Sequence, residues 1–172
     1  MFMCTPFPPV AIRSTAAALF AVVGVATFAP AQDSSFAQMQ RRGKAAMGVD
    51  QYTSIHKFDD RADGGRIELQ RDRDDSAGTR AIREHLRRIA TAFRTGDFST
   101  PAFVHMRDVP GSRAMTSNRK AIRYRFRELP RGGELRISSN DSAAVGAIHE
   151  FLAFQRGEHH AGGHDMHGVK PR

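Results

Sequence analysis

Ile122-Arg123-Tyr124-Arg125-Phe126-Arg127-Glu128-Leu129-Pro130-Arg131-Gly132-Gly133-Glu134-Leu135-Arg136-Ile137 is the stretch that decides the fold. Ile122, Tyr124 and Phe126 alternate with three arginines, the period-two pattern of a strand with one buried face. Leu135 and Ile137 continue that face beyond Gly132-Gly133. The glycine pair is read as the turn, because glycine accepts positive φ freely. A helix is expected to follow, capped by Asn140 or Ser142. Ile148, Phe151 and Leu152 form its apolar stripe and Gly157 ends it.

The same plan occurs earlier in the chain. Phe58, Gly64 and Gly65 recur as Phe126, Gly132 and Gly133, 68 residues later. Asp75-Ser76-Ala77 recurs as Asp141-Ser142-Ala143 at a spacing of 66. Ala81-Ile82, Glu84 and Leu86 return at that spacing as Ala147-Ile148, Glu150 and Leu152. One two-residue deletion near Ser138–Ser139 reconciles the two spacings, and the pattern reads as a duplication. In the first copy Ser54, His56, Phe58, Ile67 and Leu69 take the inward face. A helix from about Asp74 to Thr95 turns Ile82, Leu86, Ile89 and Phe93 inward, and Gly96 ends it. Each copy is strand, turn, strand, helix, and one copy alone is too small to be stable. The expected fold is therefore α+β: a two-layer sandwich with a four-stranded antiparallel sheet and two helices on one face.

Length and composition set the frame. The chain has 172 residues, 26 Lys+Arg against 18 Asp+Glu, one Cys and no Trp. That length suits one domain. A single cysteine excludes a disulfide framework, an iron–sulfur site and a multi-cysteine zinc site. Residues 1–31 read as a secretory signal, with Arg13 ahead of the apolar run Ala16–Phe28 and Ala29-Pro30-Ala31 as the cleavage pattern. The run is shorter than the ~20 residues a membrane span needs, so no transmembrane anchor is expected after cleavage. The expected location is periplasmic or secreted, and export argues against nucleic acid as the partner for the formal charge of +8. The remaining organisation is a flexible basic lead-in over 32–49 and a duplicated domain over 50–157. The repeats cover about 52–95 and 120–157, joined by a long connection over 97–120. A flexible His/Met-rich tail spans 158–172.

Chemistry is sought first where the copies differ. His56 aligns with Tyr124 and His85 with Phe151, so imidazoles stand where the sister copy places aromatic core residues. Neutral imidazole is a good ligand for zinc, copper and nickel. The long connection adds His105-Met106 and Met115, and thioether sulfur favours Cu(I). The tail adds His159, His160, His164, Met166 and His167, a tract able to bind metal without a preformed fold. A separate signal is the outward stripe Arg123, Arg125, Arg127 and Arg136, whose guanidinium groups can grip carboxylates, sulfates or phosphates. No G-x-S-x-G, H-E-x-x-H or P-loop occurs, and the sequence leans away from catalysis.

Residues 47–160 also resemble a family of small, largely uncharacterised bacterial proteins. The resemblance rests on Met47-Gly48-Val49-Asp50-Gln51, Ile55-His56-Lys57-Phe58, Gly64-Gly65, Gly96-Asp97-Phe98, Val104-His105, Pro110-Gly111 and Ala147-Ile148-His149-Glu150-Phe151-Leu152-Ala153-Phe154-Gln155. It implies no established activity. The aspartate carbamoyltransferase label that some members carry is rejected: the chain is too short for that two-domain enzyme and lacks its Ser-Thr-Arg-Thr phosphate-binding stretch. The functional expectation is an exported transition-metal-binding protein, copper before zinc or nickel, for storage, delivery or resistance. The alternative is a non-enzymatic module binding an anionic partner or another protein through its basic sheet face.

Overall fold

The computed structural model describes Met1 and residues 31–160. In chain order the elements are α1 (Ala31–Met47), β1 (Ser54–Arg61), β2 (Gly64–Arg71), α2 (Ser76–Thr95), α3 (Ser99–His105), α4 (Ser112–Ser117), β3 (Ile122–Leu129), β4 (Gly132–Ser139) and α5 (Ser142–Glu158). The four strands form one antiparallel sheet in the order β1-β2-β4-β3. The long helices cover one of its faces, so the α+β class and the two-layer sandwich are as the alternation of apolar residues requires.

The central pairing has a symmetry that the repeat explains. In the β2–β4 register Ile67 lies directly opposite Leu135. These two residues hold the same position in the two copies, so a pseudo-twofold axis passes between them. The helices then cross over. Helix α2 packs mainly on β4 and β3, and α5 on β2 and β1. Each copy's helix therefore covers the other copy's hairpin.

The glycine pairs have a different role from the one expected. The turns are Ala62-Asp63 and Pro130-Arg131, and Gly64-Gly65 and Gly132-Gly133 are the first residues of β2 and β4. They are glycine because of what lies over them. A Cβ on Gly65 would collide with Leu152 Cδ1, and one on Gly133 would lie 2.6 Å from Phe126 Cε2 and 3.1 Å from Leu86 Cδ1. Leu86 and Leu152 are equivalent residues of α2 and α5, so the interlock is reciprocal. Ile82, Leu86, Leu135, Ile137, Ile148, Phe151 and Leu152 are almost wholly buried around it.

Three further details depart from the sequence reading. Asp75 and Asp141 cap the long helices, accepting from the Gly78 and Ala144 backbone N–H groups at 3.0 and 2.8 Å. Neither Asn140 nor Ser142 is the cap. Gly157 does not end α5, which runs on to Glu158. The lead-in, expected to be flexible, is helix α1, held by buried Met39 and Met47 and by Arg42 Nε donating to the Val104 carbonyl at 2.7 Å. Its apolar residues are too few to form a stripe legible in sequence, and α3, which it packs on, is not adjacent in the chain. The long connection is likewise built, from α3 and α4, and Gly111 lets it close on α5 at the Ala147 carbonyl. Among the described residues no helix is long and apolar enough to cross a membrane.

Two stability outcomes follow from the crossed helices. A chain of residues 50–97 alone is expected to show no cooperative unfolding transition by circular dichroism, because α2 then lacks the sheet half it covers. In the full chain, Leu135→Ala is expected to lower unfolding stability by about 2–5 kcal/mol in urea titration, the range for truncating a fully buried leucine.

Candidate functional site: an imidazole-lined cavity

The two halves of the sandwich are not chemically equivalent. On one side of the pseudo-twofold axis Phe93 of α2 meets Tyr124 of β3, their ring centroids 5.9 Å apart. On the other side the equivalent positions are His159, just past α5, and His56 of β1, whose centroids are also 5.9 Å apart. An aromatic pair in one half is thus an imidazole pair in the other. His105, at the end of α3, stands edge-on to His159 at 5.2 Å. His85 reaches the same space from α2. These rings share a cavity of about 90 Å³ with apolar walls that include Phe58, Leu69, Leu86 and Phe151.

The hydrogen bonds fix which nitrogen of each ring carries its proton. Ser54 donates its hydroxyl to the Asp50 carbonyl at 2.7 Å, so its oxygen accepts from His56 Nε2–H at 3.0 Å. Gln51 donates its amide to the His159 carbonyl at 2.8 Å and accepts from His159 Nδ1–H, also at 2.8 Å. His85 Nδ1–H donates to the Ala46 carbonyl at 3.1 Å. His105 Nε2–H donates to Gln155 Oε1 at 3.2 Å. Every ring spends its single N–H on an oxygen. The bare lone pairs are on His56 Nδ1, His85 Nε2, His105 Nδ1 and His159 Nε2. This is the arrangement by which an acceptor behind the ring orients a ligating histidine.

Burial keeps the rings neutral. Desolvation, with His85 nearby, lowers the His56 pKa to about 4. Desolvation and then the Arg88 charge lower His85 to about 4. Desolvation and the neighbouring histidines lower His159 to about 3. His105 is lowered too, chiefly by desolvation. Its buried Nδ1 has no hydrogen-bond partner and lies 3.7 Å from Glu158 Oε2. The side-chain nitrogens of Gln40 and Gln155, both lining the cavity, are also buried without a partner. Burying polar groups in this way is costly unless something meets them.

The residues singled out in the sequence divide clearly. His56, His85 and His105 do converge on one cavity. His159 joins them and belongs to the domain, not to a flexible tail: its backbone N–H caps α5 and its ring packs inside. The repeat register already held that signal, since the spacing of 66 carries Phe93 onto His159. Gln51, Ser54 and Gln155 orient the rings but have no sequence signature. Met106 takes no part; it is the left-handed C-cap of α3, with φ 54° and 68% exposure. Met115 is a fully buried core side chain away from the cavity. His160 lies outside, edge-on to Phe36 at 4.6 Å in a neighbouring cleft that His105 also borders. His164, Met166 and His167 lie outside the described residues. Among the described residues no three His, Cys, Asp or Glu side chains are grouped so as to hold a metal ion.

The outward arginine stripe is partly neutralised. Arg127 pairs with Glu134 at 3.1 Å. Arg136 pairs with Asp63 and donates to the Gly65 carbonyl at 2.7 Å. Arg123 and Arg125 are exposed.

Comparison of the chain with protein-family models, with curated proteins and with solved structures finds no match.

The lowered histidine pKa values set a pH dependence. Above pH 6.5 these rings are neutral in the folded and the unfolded chain. Below it the unfolded chain takes up protons first, so stability is lost as pH falls from about 6.5 toward about 4. Thermal melts across this range are expected to show a steep acid limb. His56→Phe/His159→Phe, which rebuilds the aromatic pairing of the other half, is expected to flatten it. An unchanged slope would show that these two rings are not its source.

Proposed function

We propose that the protein binds a transition-metal ion through the cavity imidazoles, copper before zinc or nickel, and serves as an exported carrier or store without catalytic turnover. One observation carries this reading: neutral rings, each with its N–H spent on an oxygen acceptor, and each with its other nitrogen bare. Metal–nitrogen bonds of about 2.0–2.1 Å put two rings on one ion with centroids roughly 5–6 Å apart. The His56–His159 and His105–His159 pairs meet that spacing, at 5.9 and 5.2 Å. Residues 161–172 add imidazole and thioether donor types to the chain, in His164, Met166 and His167. A monovalent soft ion suits the apolar walls, because burying one charge costs less than burying two. Imidazole with thioether favours copper within the transition metals. The leader-like residues 1–31 support an exported setting.

Titration of the chain with Cu(I), Cu(II), Zn(II) and Ni(II) against a competing chelator tests this. One tight ion per chain is expected, lost on His56→Ala or His159→Ala. Removing residues 161–172 is expected to weaken binding without abolishing it. Ser54→Ala and Gln51→Ala leave every ligand in place but remove its support, and each is expected to weaken binding about 10–100-fold. Binding that survives His56→Ala/His159→Ala and disappears with residues 161–172 would assign the metal to the tail alone and overturn the cavity reading.

A further inference from the structure

The face of the sheet away from the helices carries an unusual charge order. Residues directly opposite one another across strands form rows. One row runs Lys57, Glu68, Glu134, Arg127. It is self-neutralising: Lys57 Nζ lies 3.7 Å from Glu68 and Arg127 lies 3.1 Å from Glu134. The next row runs Asp59, Arg66, Arg136, Arg125, with three arginines side by side on neighbouring strands. The row beyond runs Arg61, Gly64, Ser138, Arg123. Like charges directly opposite in a sheet are destabilising, so this end of the face is held at a cost.

Internal acids relieve only part of it. Arg66 is met by Asp59, Glu68 and Glu134, and Arg136 by Asp63. Arg61, Arg123 and Arg125 are exposed, and among the described residues no acid or acceptor meets their guanidinium groups. With strands about 4.8 Å apart, Arg61 and Arg123 flank a strip about 14 Å wide. Between them lie Gly64 and Ser138, with the Arg136 guanidinium reaching over this end to Asp63 and to the Gly65 carbonyl. The pseudo-twofold axis maps this end onto the opposite one, where Ile55, Gln70, Gly132 and Leu129 lie in a row. The basic strip therefore occurs at one end and is not a by-product of the duplication.

We propose that this strip, independently of the metal reading, binds a linear acidic glycan, with carboxylate or sulfate groups seated on Arg61, Arg123 and Arg125. The guanidinium fork takes such groups through paired hydrogen bonds. The two rows contain no aromatic ring, and single-stranded nucleic acid is gripped by stacking its bases on such rings. They contain no large apolar side chain to enter a bilayer. What they offer is three unpaired guanidinium groups, Arg61, Arg123 and Arg125, around the internally paired Arg136.

The test is binding of the full chain to heparin, to a polyuronate, to single-stranded DNA and to anionic phospholipid vesicles at about 0.15 M salt. The glycans are expected to bind, and to weaken as salt rises. Arg123→Glu/Arg125→Glu is expected to weaken glycan binding about tenfold or more, since each lost anion contact also removes a counterion-release gain. Arg61→Glu is expected to act in the same direction. Arg123→Lys/Arg125→Lys keeps the charge, loses the fork and is expected to fall between. The control Arg41→Glu/Arg80→Glu makes the same change in net charge at exposed positions on the helices α1 and α2. An equal loss in the control, equal or tighter binding of DNA or vesicles, or no glycan binding at that salt would each overturn the proposal. These arginines are exposed, and an unchanged circular dichroism spectrum verifies each variant's fold.

Discussion

The structure depends on the fit of two leucines over two glycines. Leu152 of α5 lies on Gly65 of β2, and Leu86 of α2 lies on Gly133 of β4. A Cβ at Gly65 would displace Leu152, and one at Gly133 would displace the Phe126 ring and press on Leu86, so the helices approach the sheet closely where the two central strands begin. Because each leucine comes from the other copy, this contact also binds the duplicated halves into one folding unit. Packing of this density is sensitive to single methylene groups, and the near-complete burial of Leu86, Leu135 and Leu152 places the most sensitive point at the pseudo-twofold axis. Everything else, including the cavity, is arranged around it.

The two strand-strand-helix units give two equivalent interiors, and these differ chemically. In one, Phe93 stacks on Phe98 at 4.2 Å and meets Tyr124, a filled aromatic core. In the other, imidazoles stand at the matching positions and leave a small cavity. Burial opposes charging of these rings, which is why their pKa values lie below the ordinary imidazole value. The oxygen acceptors behind the rings then matter more than the rings' mere presence. Ser54, Gln51, Gln155 and the Ala46 carbonyl decide which nitrogen is bare, and a bare nitrogen is what an ion or a hydrogen-bond donor can use. The proposed metal site and the acid sensitivity are two consequences of the same desolvated lone pairs.

The outer face follows a different rule. There the duplication left no symmetry of charge. The row through Glu68 and Glu134 compensates itself, and the rows beside it do not. Alternation in a strand requires only that these positions be polar; their sign is free. The concentration of unpaired arginines at one end is therefore a choice of sequence and not a requirement of the fold.

The class of fold was legible in the chain. Period-two alternation in Ile122–Phe126, the repeat at 68 and 66, and the apolar stripes of two helices dictate a four-stranded sheet under a helical layer, since neither stripe can be buried otherwise. The substitution of His56 and His85 for aromatic residues was legible as well, because it needs only the repeat register. The crossing of the helices was not, as local pattern says which face is apolar but not which sheet half it meets. For the same reason Gly64-Gly65 and Gly132-Gly133 read as turns: nothing in the sequence brings Leu152 and Leu86 over them. His105 and His159 enter the cavity from distant segments, and the tautomers rest on partners separated from their rings by two to 108 residues. Sequence supplied the imidazoles through local residue identity. Tertiary structure alone decided which of them share a cavity and which nitrogen each exposes, because both depend on contacts between elements that no local pattern encodes.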